Sequence, residues 1–286
     1  MSGATVRYPA DVTVLYHADC YDGFGAAWAA WKALGDAARY EPVRYGDSAP
    51  ALHNCDQGTL YVLDFSFPLE TFVALAKEFK VVVLDHHKTA HDDLVSLTAR
   101  PGLRGLHVRF DMEKSGARLA WEHFHPGIAP PRLIDYVEDR DLWRFALPMS
   151  REVSATLRSY PMDFRVWDAL NTDVLAAEGV AILRFQDRMV AQMADNARPT
   201  ILGGHVVPAV NATLFFSEVG DLLCRRHPDV PFAAYWFDRG DGRRQWGLRS
   251  RHGFDVSAVA KRYGGGGHPG AAGFTTAGGT WPSDGV

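Results

Sequence analysis

The stretch Val81-Val-Val-Leu-Asp-His-His87 decides the fold of this chain. Its apolar half is too short for a helix and is typical of a strand buried on both faces of a parallel sheet. Asp85, His86 and His87 then follow at the carboxyl end of that strand, where open α/β sheets bind their ligands. A carboxylate beside two imidazoles predicts a metal site. The alternative is a polar turn in which the histidines cap backbone groups.

Two earlier segments end in the same way. Residues 12–16 and 59–63 are predicted strands, and they are followed by His17 and Asp64. Helices are predicted between the strands, over 23–34 and 69–79. Strand and helix alternating at this interval indicate β-α-β units, so we predict an α/β fold with a parallel sheet. Because parallel strands end at one edge of a sheet, His17, Asp64 and the Asp85-His-His87 run should converge.

A long amphipathic helix over 172–196, with Phe185 on its apolar face, is predicted to connect two domains. Helices are also predicted over 116–124 and from Pro131 onwards. Beyond Pro199, a smaller α/β domain is predicted, with strands over 205–210, 231–237 and 245–249 and helices over 217–226 and 256–263. We therefore assign a metal-binding catalytic domain (1–165), the connecting helix (166–200), a substrate-binding domain (201–276) and a flexible tail (277–286), loose from about Thr275. The active site is expected in the cleft between the two domains.

The composition excludes several classes of protein. A hydrophobic share of 47% and a charged share of 22% are typical of a globular protein. No apolar stretch approaches the roughly 20 residues of a membrane helix, and the N-terminus has no secretory apolar core. The cysteines, Cys20, Cys55 and Cys224, are odd in number and far apart, which argues against a disulfide framework and a thiolate zinc site. We therefore expect a cytoplasmic protein with no membrane partner.

The charge is unevenly distributed. The net charge of −4 argues against duplex DNA as a partner, yet nine Lys/Arg face four Asp/Glu between Arg225 and Arg262. A basic segment in an acidic chain is expected to grip an anionic substrate. A solvated basic face would give the same pattern.

Further motifs supply candidate metal ligands. The segment His17-Ala-Asp19-Cys-Tyr-Asp22-Gly23 places a histidine and two carboxylates between a strand and a helix, although Asp22 could also cap that helix. Asp64 is the single acidic residue after its strand, a position that is typical of a carboxylate that bridges two metal ions. The acidic cluster Glu138-Asp139-Arg-Asp141 follows an apolar helix and is expected to be buried near the site.

The chemistry of these ligands favours hard cations. Oxygen and imidazole donors without thiolates indicate Mn²⁺, with Mg²⁺ as the alternative. Two such ions would serve in-line displacement at phosphorus. A redox-active iron site is the competitor, but the set is too rich in carboxylates for the two-histidine facial triad.

The second predicted domain carries the string Gly264-Gly-Gly-Gly-His268-Pro-Gly. Consecutive glycines let the backbone approach a phosphate or a base closely, and His268 could donate to a phosphate oxygen. Lys261 and Arg262 precede the string and reinforce an anion site.

These motifs resemble the DHH phosphoesterase superfamily, in the branch with a DHH-associated C-terminal domain. That branch includes RecJ-type exonucleases, nano-RNases and phosphatases that act on short or cyclic-dinucleotide-derived substrates. The resemblance runs from the strand before His17 to Phe274. Asp85-His-His87 is similar to the motif that names the family, Asp64 and Asp139 to the aspartates of its second and fourth motifs, and the residues 265–268 to its substrate-binding GGGH.

The resemblance implies a role for each candidate residue. The metal ligands would be His17, Asp19, Asp22, Asp64, His86 and Asp139. Asp85 would orient a ligating histidine, whereas His87 and His268 would contact the phosphate. The nucleotide would be held by Arg249, Gly265, Gly266, Gly267 and His268.

The first metal motif departs from the family pattern. Nano-RNases have aspartates four and six residues after the histidine, but here the aspartates follow His17 by two and five residues. RecJ-type proteins place alternating aspartates before the glycine, and only Asp22 fits that pattern. One of two metal ions could therefore be bound more weakly, or by different ligands.

We therefore predict a two-metal phosphohydrolase that cleaves phosphodiester or phosphomonoester bonds of short oligonucleotides, dinucleotides or nucleotide-like substrates, as a monomer or homodimer. One alternative is a single-strand exonuclease of the RecJ type, which would need a long basic channel with stacking aromatics. Another is a non-catalytic nucleotide-binding protein, which would be expected to lose metal ligands. A pyrophosphatase-like activity would not need the glycine-rich string.

Overall fold

The computed structural model describes residues 12–45, 47, 49–50, 58–94, 105–251 and 253–282. The chain forms two compact units, Met1–Val180 and Ala181–Val286, and the division falls inside the predicted connecting helix. The predicted α/β class, with a parallel sheet followed by a second α/β unit, is confirmed. The domain boundaries and the cleft between the domains stay predictions. Cys55 lies outside the described residues.

The first unit is built on a five-stranded sheet. Its elements are β1 (Val12–His17), α1 (Tyr21–Leu34), β2 (Arg39–Val43), β3 (Thr59–Leu63), α2 (Leu69–Glu78), β4 (Lys80–Asp85), α3 (Lys88–Leu94), β5 (Leu106–Phe110), α4 (Gly116–Phe124), α5 (Arg132–Asp141), α6 (Ser150–Leu157) and α7 (Phe164–Asp168). The strand order is β2-β1-β3-β4-β5, and every neighbouring pair is parallel. The strands β2 and β5 and the helices α3, α6 and α7 were not predicted from the sequence.

The central strands are buried on both faces of this sheet. Successive side chains of a strand point to opposite faces, so Val14 and Leu84 pack in the core with α1, α4 and α5. Their neighbours Leu15 and Val83 pack in the core on the α2 and α3 side. Burial on both faces explains the continuous apolar runs of the sequence, and it leaves the polar residues for the ends of the strands.

The helix α8 (Thr172–Ala194) spans the division, and its second half begins the second unit. That unit contains β6 (Arg198–Leu202), β7 (His205–Asn211), α9 (Phe216–Arg226), β8 (Phe232–Asp238), β9 (Arg243–Ser250), α10 (Val256–Arg262), β10 (Gly266–His268) and β11 (Ala271–Ala277). The sheet order is β10-β11-β9-β8-β7-β6. β7 and β8 pair in parallel, and the other neighbours are antiparallel. No helix in the described ranges is long and apolar enough to cross a membrane.

Two expectations about this region were wrong. Phe185 is 62% exposed, because the buried face of this part of α8 runs through Gln186, Val190 and Ala194 instead. The tail is not loose from Thr275, because β11 continues to Ala277. Further along, the ring of Trp281 lies 5.3 Å from that of Trp246. The Gly-rich composition of the tail gave no indication of this contact.

Two apolar residues of the first unit with opposite burial test this packing. Phe72 on α2 is 0% exposed, so Phe72→Ala should lower the free energy of unfolding of that unit by about 3–5 kcal/mol. Ile128 is 62% exposed, so Ile128→Ala is the control and should change that free energy by less than about 0.5 kcal/mol. Urea unfolding followed by circular dichroism measures both. Equal losses would contradict the described core.

Candidate metal centre

The carboxylate of Asp64 connects two ends of the parallel sheet. The residue follows β3, is 1% exposed, and has a left-handed backbone with φ of 54°, which Asp tolerates better than most residues. Its Oδ1 lies 3.1 Å from Nε2 of His86, and its Oδ2 lies 3.4 Å from Nδ1 of His17. The predicted convergence of these residues is therefore present in the structure.

The first ligand group surrounds the buried imidazole of His86. Besides Asp64, the Nε2 atom lies 3.5 Å from Oδ2 of Asp22 and 3.5 Å from Oδ2 of Asp141. Asp22, His86 and Asp141 offer ligand atoms that lie within 4.8 Å of one another. Three carboxylates around one imidazole form a donor set of oxygen and nitrogen that fits a divalent cation.

The second ligand group consists of His17, Cys20 and Asp64. Their ligand atoms also lie within 4.8 Å of one another, and the Cys20 thiol donates to Asp64 Oδ2 at 3.5 Å. The two oxygens of Asp64 thus face different groups, since Oδ1 is the one near His86. A shared carboxylate of this kind is the arrangement expected of a bridging ligand.

The N-terminus of α4 supports the first group. The backbone N–H groups of Gly116 and Ala117 donate to Asp22, at 2.5 and 2.9 Å. A side chain at position 116 would bring its Cβ within 2.5 Å of the Asp64 Cβ, so glycine is required for this approach. The alternative role of Asp22, as a cap of its own helix, is not present in the structure. α1 begins at Tyr21, and Asp22 instead satisfies the orphan donors of a helix 94 residues later.

Asp85 holds its neighbours in place with both oxygens. Oδ1 accepts from the backbone N–H groups of His86 and His87 and lies 2.7 Å from Nδ1 of His87, while Ser66 donates to Oδ2 at 2.6 Å. A carboxylate only accepts, so Nδ1 of His87 carries a proton. Burial opposes ionisation, but the charge and hydrogen bond of His87 outweigh it and lower the pKa of Asp85 to about 2. The orienting role implied for Asp85 fits this geometry, with His87 as the oriented ring.

The carboxyl groups of Asp64 and Asp22 beside His86 have opposite pKa shifts. Burial works against ionisation of Asp64, but the contacts from His17 and His86 hold its pKa well below the usual value. Burial raises the pKa of Asp22, and the charges of Asp64 and Asp141 raise it further. A cation among these groups would relieve the repulsion that raises the pKa of Asp22, so the electrostatics agree with the donor set.

Two predicted ligands are not part of either group. Asp19 is exposed and accepts from Nε of Arg44 at 2.8 Å. Asp139 is buried, but its oxygens accept from the N–H groups of Ala146 and Leu147. The structure places Asp141 beside His86 instead. Residues two apart on a helix point to different faces, so only one of Asp139 and Asp141 can face His86.

Three residues of the centre escaped the sequence analysis. Asp141 was seen in the acidic cluster but was not chosen, and Cys20 was set aside with the other cysteines. Tyr45 follows the missed strand β2, and its ring lies 5.1 Å from His17 and 6.0 Å from His87. For Cys20, the signal was its place two residues before Asp22. For Tyr45 we find no signal in the sequence.

The predicted substrate residues lie in the second unit. Arg249 donates to Oγ of Ser217 and packs against Gly220. A side chain at Gly265 would approach the carbonyl oxygen of Gly273 to 2.0 Å, and one at Gly267 would approach that of Ala271 to 2.6 Å. These two glycines are therefore required by close packing against β11, whatever they bind. The binding roles of Arg249, Gly265, Gly266, Gly267 and His268 stay predictions.

The basic segment of the second unit is largely neutralised. Six arginines that were predicted to bind an anionic substrate instead form ion pairs with acids of the same unit. These pairs are Arg225 and Arg251 with Asp221, Arg226 with Asp195, Arg244 with Asp238, and Arg239 and Arg243 with Asp241. Because Asp195 and Asp221 lie outside the counted segment, the count overstated its positive charge.

Comparison with known proteins gives a domain match and several similar proteins. Residues 219–280 match the DHHA1 domain. The uncharacterized protein R106 of Acanthamoeba polyphaga mimivirus is 26% identical over 296 residues, which cover 93% of this chain and 67% of that protein.

Among solved structures, the pGpG-specific phosphodiesterase PggH of Vibrio cholerae is 12% identical, with a TM-score of 0.43 and 94% of each chain covered. RecJ of Thermus thermophilus, in complex with Mn²⁺, is 17% identical, with a TM-score of 0.46, and the match covers 93% of this chain and 49% of RecJ.

The two acids of α5 can be separated by experiment. Asp141→Asn should lower Mn²⁺ affinity by at least about tenfold, because mutation of a residue that only hydrogen-bonds to a metal ligand already lowers metal affinity by about 10–100-fold. Asp139→Asn should largely keep that affinity but lose about 1–3 kcal/mol of stability, because one backbone N–H then faces an amide donor. Calorimetric titration and chemical unfolding of both variants measure these effects. The reverse pattern would restore Asp139 as the ligand.

Proposed function

We propose that this chain is a member of the DHH phosphoesterase superfamily and that it hydrolyses phosphodiester or phosphomonoester bonds of short oligonucleotides, dinucleotides or nucleotide-like substrates. The DHHA1 domain over 219–280 and the Asp85-His-His87 motif at the sheet edge support the superfamily. The observation that carries the proposed chemistry is the carboxylate of Asp64, whose two oxygens face two adjacent ligand groups.

The ligand groups favour a pair of divalent cations, and the oxygen and imidazole donors of Asp22, His86 and Asp141 match Mn²⁺ or Mg²⁺. One group offers Asp22, His86 and Asp141, and the other offers His17 and Cys20, with Asp64 between them. When bound, such a pair supplies a hydroxide nucleophile and neutralises the charge that develops at phosphorus.

The residues around the ligands fix the site before substrate arrives. Ser66 holds Asp85, and Asp85 fixes both the ring and the tautomer of His87. With its Nδ1 committed, His87 would present Nε2 to the phosphate, where it positions or protonates an oxygen. The α4 N-terminus fixes Asp22 in the same way. Groups that hydrogen bonds already hold in the reactive orientation do not have to be reoriented during the reaction, which lowers the activation free energy.

The second unit would hold the nucleotide. His268, the glycines 265–267 and Arg249 all lie within the DHHA1 match, which supports their assignment to substrate binding. The pairing of neighbouring arginines with acids argues against a long basic track. A compact substrate with few phosphates suits this balance of charge better than a long single strand does.

Substrate length tests the proposal. With Mn²⁺, the protein should release mononucleotides from di- to pentanucleotides faster than from longer single strands of the same composition. Asp64→Asn is the control and should abolish turnover in every length class, because both ligand groups lose their shared carboxylate. A rate that is flat or rises with length would favour the RecJ-type alternative. Nucleotide binding without turnover would favour the non-catalytic one.

The role of His87 has its own test. His87→Asn should lower kcat by about 10²-fold or more, the usual contribution of a positioned general acid, and should leave Mn²⁺ affinity within a few-fold of the wild type. The exposed His107 on β5 is the matched control, so His107→Asn should leave both quantities unchanged. Steady-state kinetics and metal titration measure the two effects. A loss of Mn²⁺ affinity that equals the loss of kcat would make His87 a metal ligand.

A further inference from the structure

Cys20 lies where the two ligand groups meet. It occupies the loop between β1 and α1, two residues before Asp22, and its thiol donates to the carboxylate that both groups share. A sulfur, an imidazole nitrogen of His17 and a carboxylate oxygen of Asp64 lie within 4.8 Å of one another. The other group, around His86, offers only nitrogen and oxygen. The two halves of the centre therefore differ in chemistry.

Two distances in the Cys20 group, those from Asp64 to Cys20 and to His17, match the spacing of ligands around a common ion. In the structure, Asp64 Oδ2 lies 3.5 Å from the Cys20 sulfur and 3.4 Å from His17 Nδ1. Sulfur at about 2.3 Å and oxygen at about 2.1 Å from one tetrahedral ion would be about 3.6 Å apart, and nitrogen and oxygen about 3.4 Å apart. The side chains thus need little movement to coordinate an ion.

We propose that Cys20 is a metal ligand and that it makes the His17–Cys20–Asp64 group the thiophilic half of an unequal metal pair. The inference rests on the proposed function, since it concerns the same centre. On binding, the thiol proton that now faces Asp64 is released to solvent and the cation takes its place between sulfur and oxygen. Thiolate donors select borderline cations such as Zn²⁺ and Co²⁺, whereas the group of Asp22, His86 and Asp141 suits Mn²⁺ or Mg²⁺.

The test uses Co²⁺ as a spectroscopic probe of the full-length chain. Metal-free protein titrated with Co²⁺ should develop a near-ultraviolet thiolate-to-cobalt charge-transfer band. The band should disappear in Cys20→Ser. It should persist in the matched control, the double variant Cys55→Ser/Cys224→Ser, which removes every other thiol of the chain. Circular dichroism checks that Cys20→Ser is folded, and the wild-type spectrum itself requires no variant.

Metal competition gives a second measurement. Cys20→Asp replaces the thiolate with a carboxylate, so it should shift the ratio of Zn²⁺ to Mn²⁺ affinity by at least about tenfold toward Mn²⁺. Mutation of a residue that only hydrogen-bonds to a metal ligand already changes metal affinity by about 10–100-fold. The site of Asp22 and His86 is unchanged in this variant, and it serves as the internal reference.

The outcomes separate this inference from the proposed function. Bound Co²⁺ without the band, or a band that survives in Cys20→Ser, would overturn the role of Cys20 and leave the metal-dependent hydrolase standing. An unchanged Zn²⁺/Mn²⁺ ratio in Cys20→Asp would also overturn it. If equilibrium dialysis finds no binding of Co²⁺, Zn²⁺ or Mn²⁺, both proposals fall together.

Discussion

The contacts of the Asp64 side chain with His17 at the end of β1 and with His86 after β4 are the constraint on which the candidate metal centre depends. β3 lies between β1 and β4 in the sheet, which brings His17 and His86 to either side of Asp64. The left-handed backbone at Asp64 aims its carboxylate, and its N–H is held by the carbonyl of Leu84. Gly116 leaves the space that this side chain fills.

The apolar core supports this cluster of acids. Gathering the buried Asp22 and Asp64 beside the partly exposed Asp141 is unfavourable on its own, as the raised pKa of Asp22 indicates. Burial of the central strands on both faces supplies the compensating stability. A concentration of electrostatically unfavourable groups at a sheet edge is therefore a candidate functional site.

The sequence predicts the parts of the centre that rest on local pattern. Runs of β-branched residues that end in a polar side chain identified β1, β3 and β4, and with them His17, Asp64 and the Asp85-His-His87 motif. The half-exposed strand β2 has no comparable run, so it and the residues that follow it were missed. The strand β5 alternates apolar and polar residues, Leu-His-Val-Arg-Phe, and this strand pattern was overlooked.

Two features of the centre could not be predicted from the sequence: contacts between residues far apart in the chain, and the face of a helix on which a residue lies. Nothing local shows that Asp22 meets the start of α4, because the contact joins residues 94 apart. The sequence could not show which of Asp139 and Asp141 faces His86, because the end of α5, and thus the face of each acid, could not be predicted to within one residue. The glycines 265 and 267 were read as ligand contacts, but packing against β11 already requires them.

The most direct test of the account is the electron paramagnetic resonance spectrum of the protein loaded with two equivalents of Mn²⁺. The shared carboxylate of Asp64 predicts two ions close enough to couple magnetically, and thus the broadened signal of an exchange-coupled pair. The spectrum of isolated Mn²⁺ ions at full loading would contradict a centre bridged by Asp64.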